Sequence, residues 1–256
     1  MKIRNIIYTG LGLSLIHLGS AHAGEAGWSK FSAAPAPVQG PSYIFSIGAG
    51  AMWASEDQNQ VIALFPEIDK AYVGGDDGDA VFNGELFGGV VREFSGMQAA
   101  LGVAVAINSS IGFGGDVWED ADPDFNNYFY HYRVRSTRVS LKGKLSKEMS
   151  MGIAPFVSAS IGAAVNNARS YGEVAKIPEE VVPPPFRNRS TTQLTYALGI
   201  GLQKAIDEHV AVGIGYEYAD LGSATLGRAF GQPQNAGPHL SNITTHSAML
   251  YVSYVG

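Results

Sequence analysis

Five charged residues occupy positions where charge is costly. Glu85, Arg138, Lys142, Lys144 and Glu217 each fall at an alternate position of a run otherwise made of apolar and small residues. If they share one narrow interior, their salt bridges either exchange partners and gate a path for ions, or form a fixed polar plug that sets strand register. Unpaired charges in such a place would suffer a heavy desolvation cost, so Arg138 and Lys142 are expected to pair with Glu85 and Glu217. A second candidate is His239-Leu240-Ser241-Asn242, where a His could activate a Ser nucleophile. That chemistry also needs an acid to orient the His, and no Asp or Glu follows Ser241. Ser and Asn are also ordinary turn residues, so no catalytic residue is expected. A third is Gly74-Gly75-Asp76-Asp77-Gly78-Asp79, whose carboxylates could hold Ca²⁺ or Mg²⁺ loosely through oxygens. Calcium-binding Gly-Asp repeats work in arrays and this run occurs once, so it reads as a solvated loop. Neither a metal nor a cofactor is expected.

The elements that must position these residues announce themselves by a period of two. In Met97–Asn108, Met97, Ala99, Leu101, Val103, Val105 and Ile107 share one face, while Gln98, Gly102, Ala104 and Asn108 share the other. Successive side chains of a strand point to opposite faces, so the run is a strand, large and apolar on one side, small and polar on the other. Eight such runs follow one another, beginning near residues 43, 81, 97, 127, 153, 193, 210 and 248. Short turns at Ser95-Gly96, Lys147–Ser150 and Asp207–His209 alternate with long segments at 54–80, 112–126, 167–190 and 221–240. In the fourth run Tyr128, Tyr130, Tyr132 and Val134 share one parity, whereas Val139, Leu141 and Leu145 take the other. That phase change predicts a β-bulge near Arg135–Thr137. Tyr128, Phe129, Tyr130 and Tyr132, with Trp53 and Trp118, read as an aromatic girdle at the upper membrane interface.

The beginning of the chain supplies an address. Lys2 and Arg4, an apolar stretch from Ile6 to Leu18 and Ala21-His22-Ala23 make a secretory signal peptide over 1–23, with cleavage after Ala23. An Ala- and Pro-rich periplasmic lead-in over 24–42 precedes the strands of 43–256. The 256-residue chain carries a formal charge of −6; without Lys2 and Arg4 it is −8, and no basic stripe points to nucleic acid. It contains no Cys, so disulfides do not stabilise it. Strands can cross hydrocarbon only as a closed barrel, in which every amide is paired. A soluble lipocalin-like barrel also has eight strands, but its interior is apolar, the reverse of this pattern. The expected fold is therefore all-β: an eight-stranded antiparallel up-and-down transmembrane β-barrel with short periplasmic turns and four long extracellular loops.

Three strands carry a resemblance. Pro155–Gly162 (PFVSASIG), Tyr196–Gly201 (YALGIG) and Gly215–Gly222 (GYEYADLG) resemble the small outer-membrane β-barrel proteins of the OmpA-transmembrane and opacity-protein type. The last strand, Ala248–Gly256, is similar to that family's C-terminal insertion signal, with Gly256 in place of the usual terminal aromatic. The resemblance implies Sec-type export to the outer membrane of a Gram-negative bacterium and insertion by the barrel assembly machinery. It also implies a monomer surrounded by outer-membrane lipid and lipopolysaccharide, without the peptidoglycan-binding domain of full OmpA proteins. The function expected is that of a non-enzymatic surface protein whose loops serve envelope integrity, adhesion or host contact, with a host-surface ligand. The alternatives are a small porin with a salt-bridge-gated lumen and a lipid A-modifying hydrolase, because His239-Leu240-Ser241-Asn242 resembles the catalytic stretch of outer-membrane lipid A deacylases.

Overall fold

Large and small residues alternate along strands long enough to pair edge to edge, and the pairing closes on itself. The computed structural model describes residues 42–55, 59–65, 68–75, 80–232 and 236–256. The signal peptide with Ala23, the lead-in up to residue 41, and Asp76, Asp77 and Asp79 lie outside the described residues. In chain order the strands are β1 (Ser42–Ser55), β2 (Gln60–Phe65), β3 (Ile68–Gly74), β4 (Val81–Phe94), β5 (Met97–Asn108), β6 (Ile111–Glu119) and β7 (Asn126–Ser146). They continue as β8 (Ile153–Ala175), β9 (Arg189–Ala205), β10 (Val210–Asp220), β11 (Ala224–Gly227), β12 (Ala236–Leu240) and β13 (Thr244–Val255).

Eight of these form the ring β1-β4-β5-β7-β8-β9-β10-β13, antiparallel throughout, and β13 returns to β1 from Ile44↔Val255 to Ser55↔Thr244. Closure removes the free strand edges that hydrocarbon would not tolerate. The exterior is greasy: Leu101, Val103, Leu198 and Ile214 are 53–58% exposed, whereas Glu85 and Lys142 in the bore are 6% and 7% exposed. In water such a belt would be a severe liability; against lipid it is the solvent-matched face. The turn between β4 and β5 is Ser95-Gly96 with φ of 51° and 72°, the left-handed pair that a two-residue hairpin requires.

The long segments hold more structure than their composition suggested. A β2–β3 hairpin occupies the first, β6 most of the second, and a β11–β12 pair part of the fourth. β2, β3 and β6 add onto the upper half of β7 and raise one wall of the barrel above the belt. Beneath that wall a core forms from Tyr72, Phe113, Tyr130, Phe186, Leu226 and Leu240, among others, so the loops pack into a cap.

Two expectations fail here for one reason. β7 has no phase change: even-numbered residues from Tyr128 to Lys142 face inward without interruption, and β8 pairs evenly across 135–137, while on the other side the β5 ladder ends at Ile107↔Thr137 and β6 resumes at Ile111↔Val134. What changes along β7 is the medium, because below Thr137 the bore is polar and the outside is hydrocarbon, while above it the inside is the cap core and the outside is the polar headgroup layer and then water. Tyr128, Tyr130 and Tyr132 are therefore buried in the cap rather than set in an interfacial girdle, and Phe129 lies far above the belt. The irregularities lie on the partner strands instead: residues 108–110 face only Arg135 and Ser136 between β5 and β6, and Ser170 at φ 56° accompanies a register shift between His131↔Gly172 and Arg133↔Arg169.

Candidate functional site

Glu85 on β4, Arg138 and Lys142 on β7, and Glu217 on β10 converge at mid-bore. Their reach depends on small neighbours. Glu85 lies between Gly48 and Ala106 on its rung, with Arg138 next beyond Ala106; Glu217 lies between Gly199 and Ser247. Lys142 Nζ donates to Glu85 Oε1 at 2.5 Å and to Glu217 Oε2 at 3.1 Å. Arg138 hydrogen-bonds Glu217 and places its Nη2 3.6 Å from Glu85 Oε2. Each acid thus meets both bases, and the four charges cancel. All four side chains are buried, which makes the mutual pairing obligatory rather than decorative.

Lys144 does not join them. Its Nζ donates to Gln203 Oε1 at 2.6 Å and lies 4.3 Å above the Phe156 ring, on the side of the short turns. Phe156 meets Tyr251 edge to face at a centroid distance of 6.1 Å. Inward glycines make room for these rings: a Cβ on Gly201 would come 2.4 Å from Phe156, and one on Gly48 2.7 Å from Tyr251. The voids on either side of the charge cluster measure about 20 Å³ each, room for about one water. A larger cavity of about 330 Å³ opens at the short-turn end and reaches inward as far as Lys144 and Gln203.

No family model matches the chain, and no curated protein matches it. Among solved structures, Neisserial surface protein A is 11% identical, with 84% of this chain covering 99% of that one at a TM-score of 0.45. Ail, the attachment invasion locus protein of Yersinia pestis, crystallised with a heparin analogue, is 16% identical over 84% and 99% at 0.37. The outer membrane protease OmpT from Escherichia coli is 8% identical over 84% and 97% at 0.48. Likenesses this distant carry no functional argument. The class is decided by the molecule's own surface, a closed ring with lipid-type residues outside and polar ones within. The chain is a transmembrane β-barrel.

The cap of this barrel holds a second buried polar group that spacing along the sequence did not reveal. Lys70 on β3 and Glu173 on β8 approach to 3.6 Å inside the cap, and Lys70 Nζ also sits 4.1 Å from the Tyr128 ring centroid. Tyr72 and Tyr171 donate to Glu173 Oε1, and Tyr128 donates to Glu180 Oε2 at 2.7 Å. Burial, reinforced by Glu173, pushes the Tyr72 hydroxyl well above the ordinary tyrosine range. Tyr171 is raised by burial, Tyr72 and Glu173, and Tyr128 by burial and its bond to Glu180. The alternation of Ile68-Asp69-Lys70-Ala71-Tyr72-Val73 was the only local sign of a strand with Lys70 on its inner face.

The other sequence candidates separate. His239 and Ser241 are exposed, Leu240 between them is a cap-core residue, and no hydrogen bond links the pair among the described residues. His239 instead offers its backbone to the Gln60 side chain, with bonds of 2.9 and 3.0 Å that clip the first loop to the fourth. Gly74 ends β3 and Gly75 donates to the Gly114 carbonyl at 2.9 Å. Among the described residues no group of acids and histidines has metal-binding geometry.

Proposed function

We propose that this protein is a non-enzymatic, monomeric surface protein of the OmpA-transmembrane and opacity-protein kind, with the short turns in the periplasm and the cap outside. The barrel anchors the cap, and the cap contacts a host surface or other envelope components and contributes to envelope integrity. The observation that carries this reading is the division of labour along β7. Its lower half supplies Arg138 and Lys142 to the charge cluster of the bore, and its upper half supplies Tyr128, Tyr130 and Tyr132 to a folded exterior. A chain built mainly to conduct would not fill its bore with a charge-neutral cluster flanked by Phe156 and Tyr251. Residues 1–23 serve as the export signal, and the last strand is the segment read by the assembly machinery.

A small porin is the second reading, favoured by the 330 Å³ cavity at the short-turn end. Planar-bilayer recording separates the two: silence supports the anchor, and steady conductance altered by Glu85→Ala or Arg138→Ala establishes the pore. An altered lipid A profile in producing cells, lost on His239→Ala or Ser241→Ala, would instead show a hydrolase.

A further inference from the structure

The rim of the belt differs on its two sides. On β1, β4, β9 and β10 its upper edge is aromatic, with Trp53, Phe82, Tyr196 and Tyr216 exposed. On β7 and β8 the same edge is guanidinium. Thr137 and Val165 form one of the last rungs of the belt; the next two outward rungs are Arg135↔Asn167 and Arg133↔Arg169. Each rung rises about 5 Å along a strand tilted by about 40°. The three arginines therefore sit about 5–10 Å above the hydrocarbon edge, at the depth of lipid phosphates.

Arg133 and Arg169 are directly opposed across the ladder, an arrangement of like charges that destabilises a sheet when nothing compensates it. Arg169 stretches across the outer face of β7 to donate to Ser110 Oγ at 2.7 Å, which draws its guanidinium towards the other two. Among the described residues none of the three pairs with a carboxylate, in a chain whose net charge is −6. Gly112 beside Arg133 leaves open space over the face, where an added Cβ would meet nothing within 4 Å.

We infer that the outer face of β7–β8 around Arg133, Arg135 and Arg169 binds the phosphate groups of the glycolipid in the outer leaflet. Guanidinium forks match phosphate oxygens in bidentate fashion, and the arginines face sideways into the leaflet rather than up into solvent. This inference rests on the transmembrane reading with the cap outside. Near an anionic lipid surface each such cation contributes roughly fivefold in affinity, so losing all three weakens binding by at least about tenfold.

The test uses the folded protein in detergent and native mass spectrometry, with bis-phosphorylated lipid A as probe and its dephosphorylated form alongside. Wild type should retain the phosphorylated lipid preferentially. The R133Q/R135Q/R169Q variant should retain it at least about tenfold less, and R92Q/K204Q at the opposite end should match wild type. Unheated gel mobility reports whether each variant is a closed barrel; if the triple variant does not fold, R135Q alone carries the comparison and should weaken retention by roughly fivefold. Equal retention by the arginine variant and wild type, or of the two lipids by wild type, overturns the inference. So does tighter binding of heparin than of lipid A that disappears in the variant, which would make the face a sulfated-polysaccharide site. Failure of wild type itself to shift on heating would overturn the barrel reading instead.

Discussion

Lys142 on β7 and Glu217 on β10 meet at 3.1 Å across the bore, although three strand steps separate them around the ring. Glu217 also accepts from Arg138, while Lys142 also reaches Glu85 on β4, so four side chains tie three separate staves of the barrel together. The cluster is neutral and buried, and its energetic weight lies in the cost of breaking it.

Glu217→Ala leaves Arg138 and Lys142 sharing one acid, and should destabilise the barrel by about 3–5 kcal/mol. Lys142→Met with Glu85→Leu leaves the Arg138–Glu217 pair neutral, so its cost should fall below the sum of the two single changes. The urea midpoint for loss of the unheated gel species measures both.

Tyr72→Ala removes a fully buried ring that packs edge to face on Tyr130 at 5.4 Å. Its cost, about 3–5 kcal/mol, should fall on the cap alone. Limited proteolysis should then cut within residues 60–74, while the barrel's gel shift on heating stays as in wild type.

Tyr72, Tyr128 and Tyr171 have hydroxyls raised above their ordinary value of 10.0 by burial and neighbouring carboxylates. Their neutral forms favour the folded cap fully below pH 10.0, and that contribution declines as the unfolded tyrosines ionise above it. Absorbance titration should show these three silent while exposed tyrosines ionise, then titrating with cap unfolding. Early ionisation of all tyrosines would contradict the buried arrangement.

Asp116 is held below its ordinary value of 3.8, chiefly by a hydrogen bond from Lys176, whose Nζ lies 2.8 Å away. A depressed carboxyl stabilises above its unfolded value and stops doing so as pH falls through the lowered one. Asp116→Asn should therefore loosen the 176–188 segment at neutral pH but change nothing once the wild-type carboxyl is protonated. Amide exchange at Lys176, compared at pH 7 and at a pH low enough to protonate Asp116 in the folded protein, reads the difference.

The barrel's legibility and the cap's illegibility have a common physical origin. Alternation is a local property: Leu101 and Val103 share a face whatever surrounds them, so strand existence and the contrast between faces could be read from types and spacing. The pairing of Arg138 and Lys142 with Glu85 and Glu217 was also within reach, because buried charges demand partners and only two acids stood among the inward positions considered. β7 shows where local reading stops. Tyr132 and Arg138 share one inward face, yet one belongs to a dry core and the other to a polar bore. Which medium lies on each side depends on height above the lipid edge and on loops distant in the chain.

The run of residues by itself determined that the strands form, which faces are large and apolar, and where the tight turns fall. Only the tertiary structure decided that the loops pack around Tyr72, that Lys70 meets Glu173 from a strand 103 positions away, and that Arg133 opposes Arg169. Backbone geometry turns every second side chain the same way over a few residues. Partners across a closed ring, by contrast, are set by register and by the solvent on each side, which no short stretch encodes.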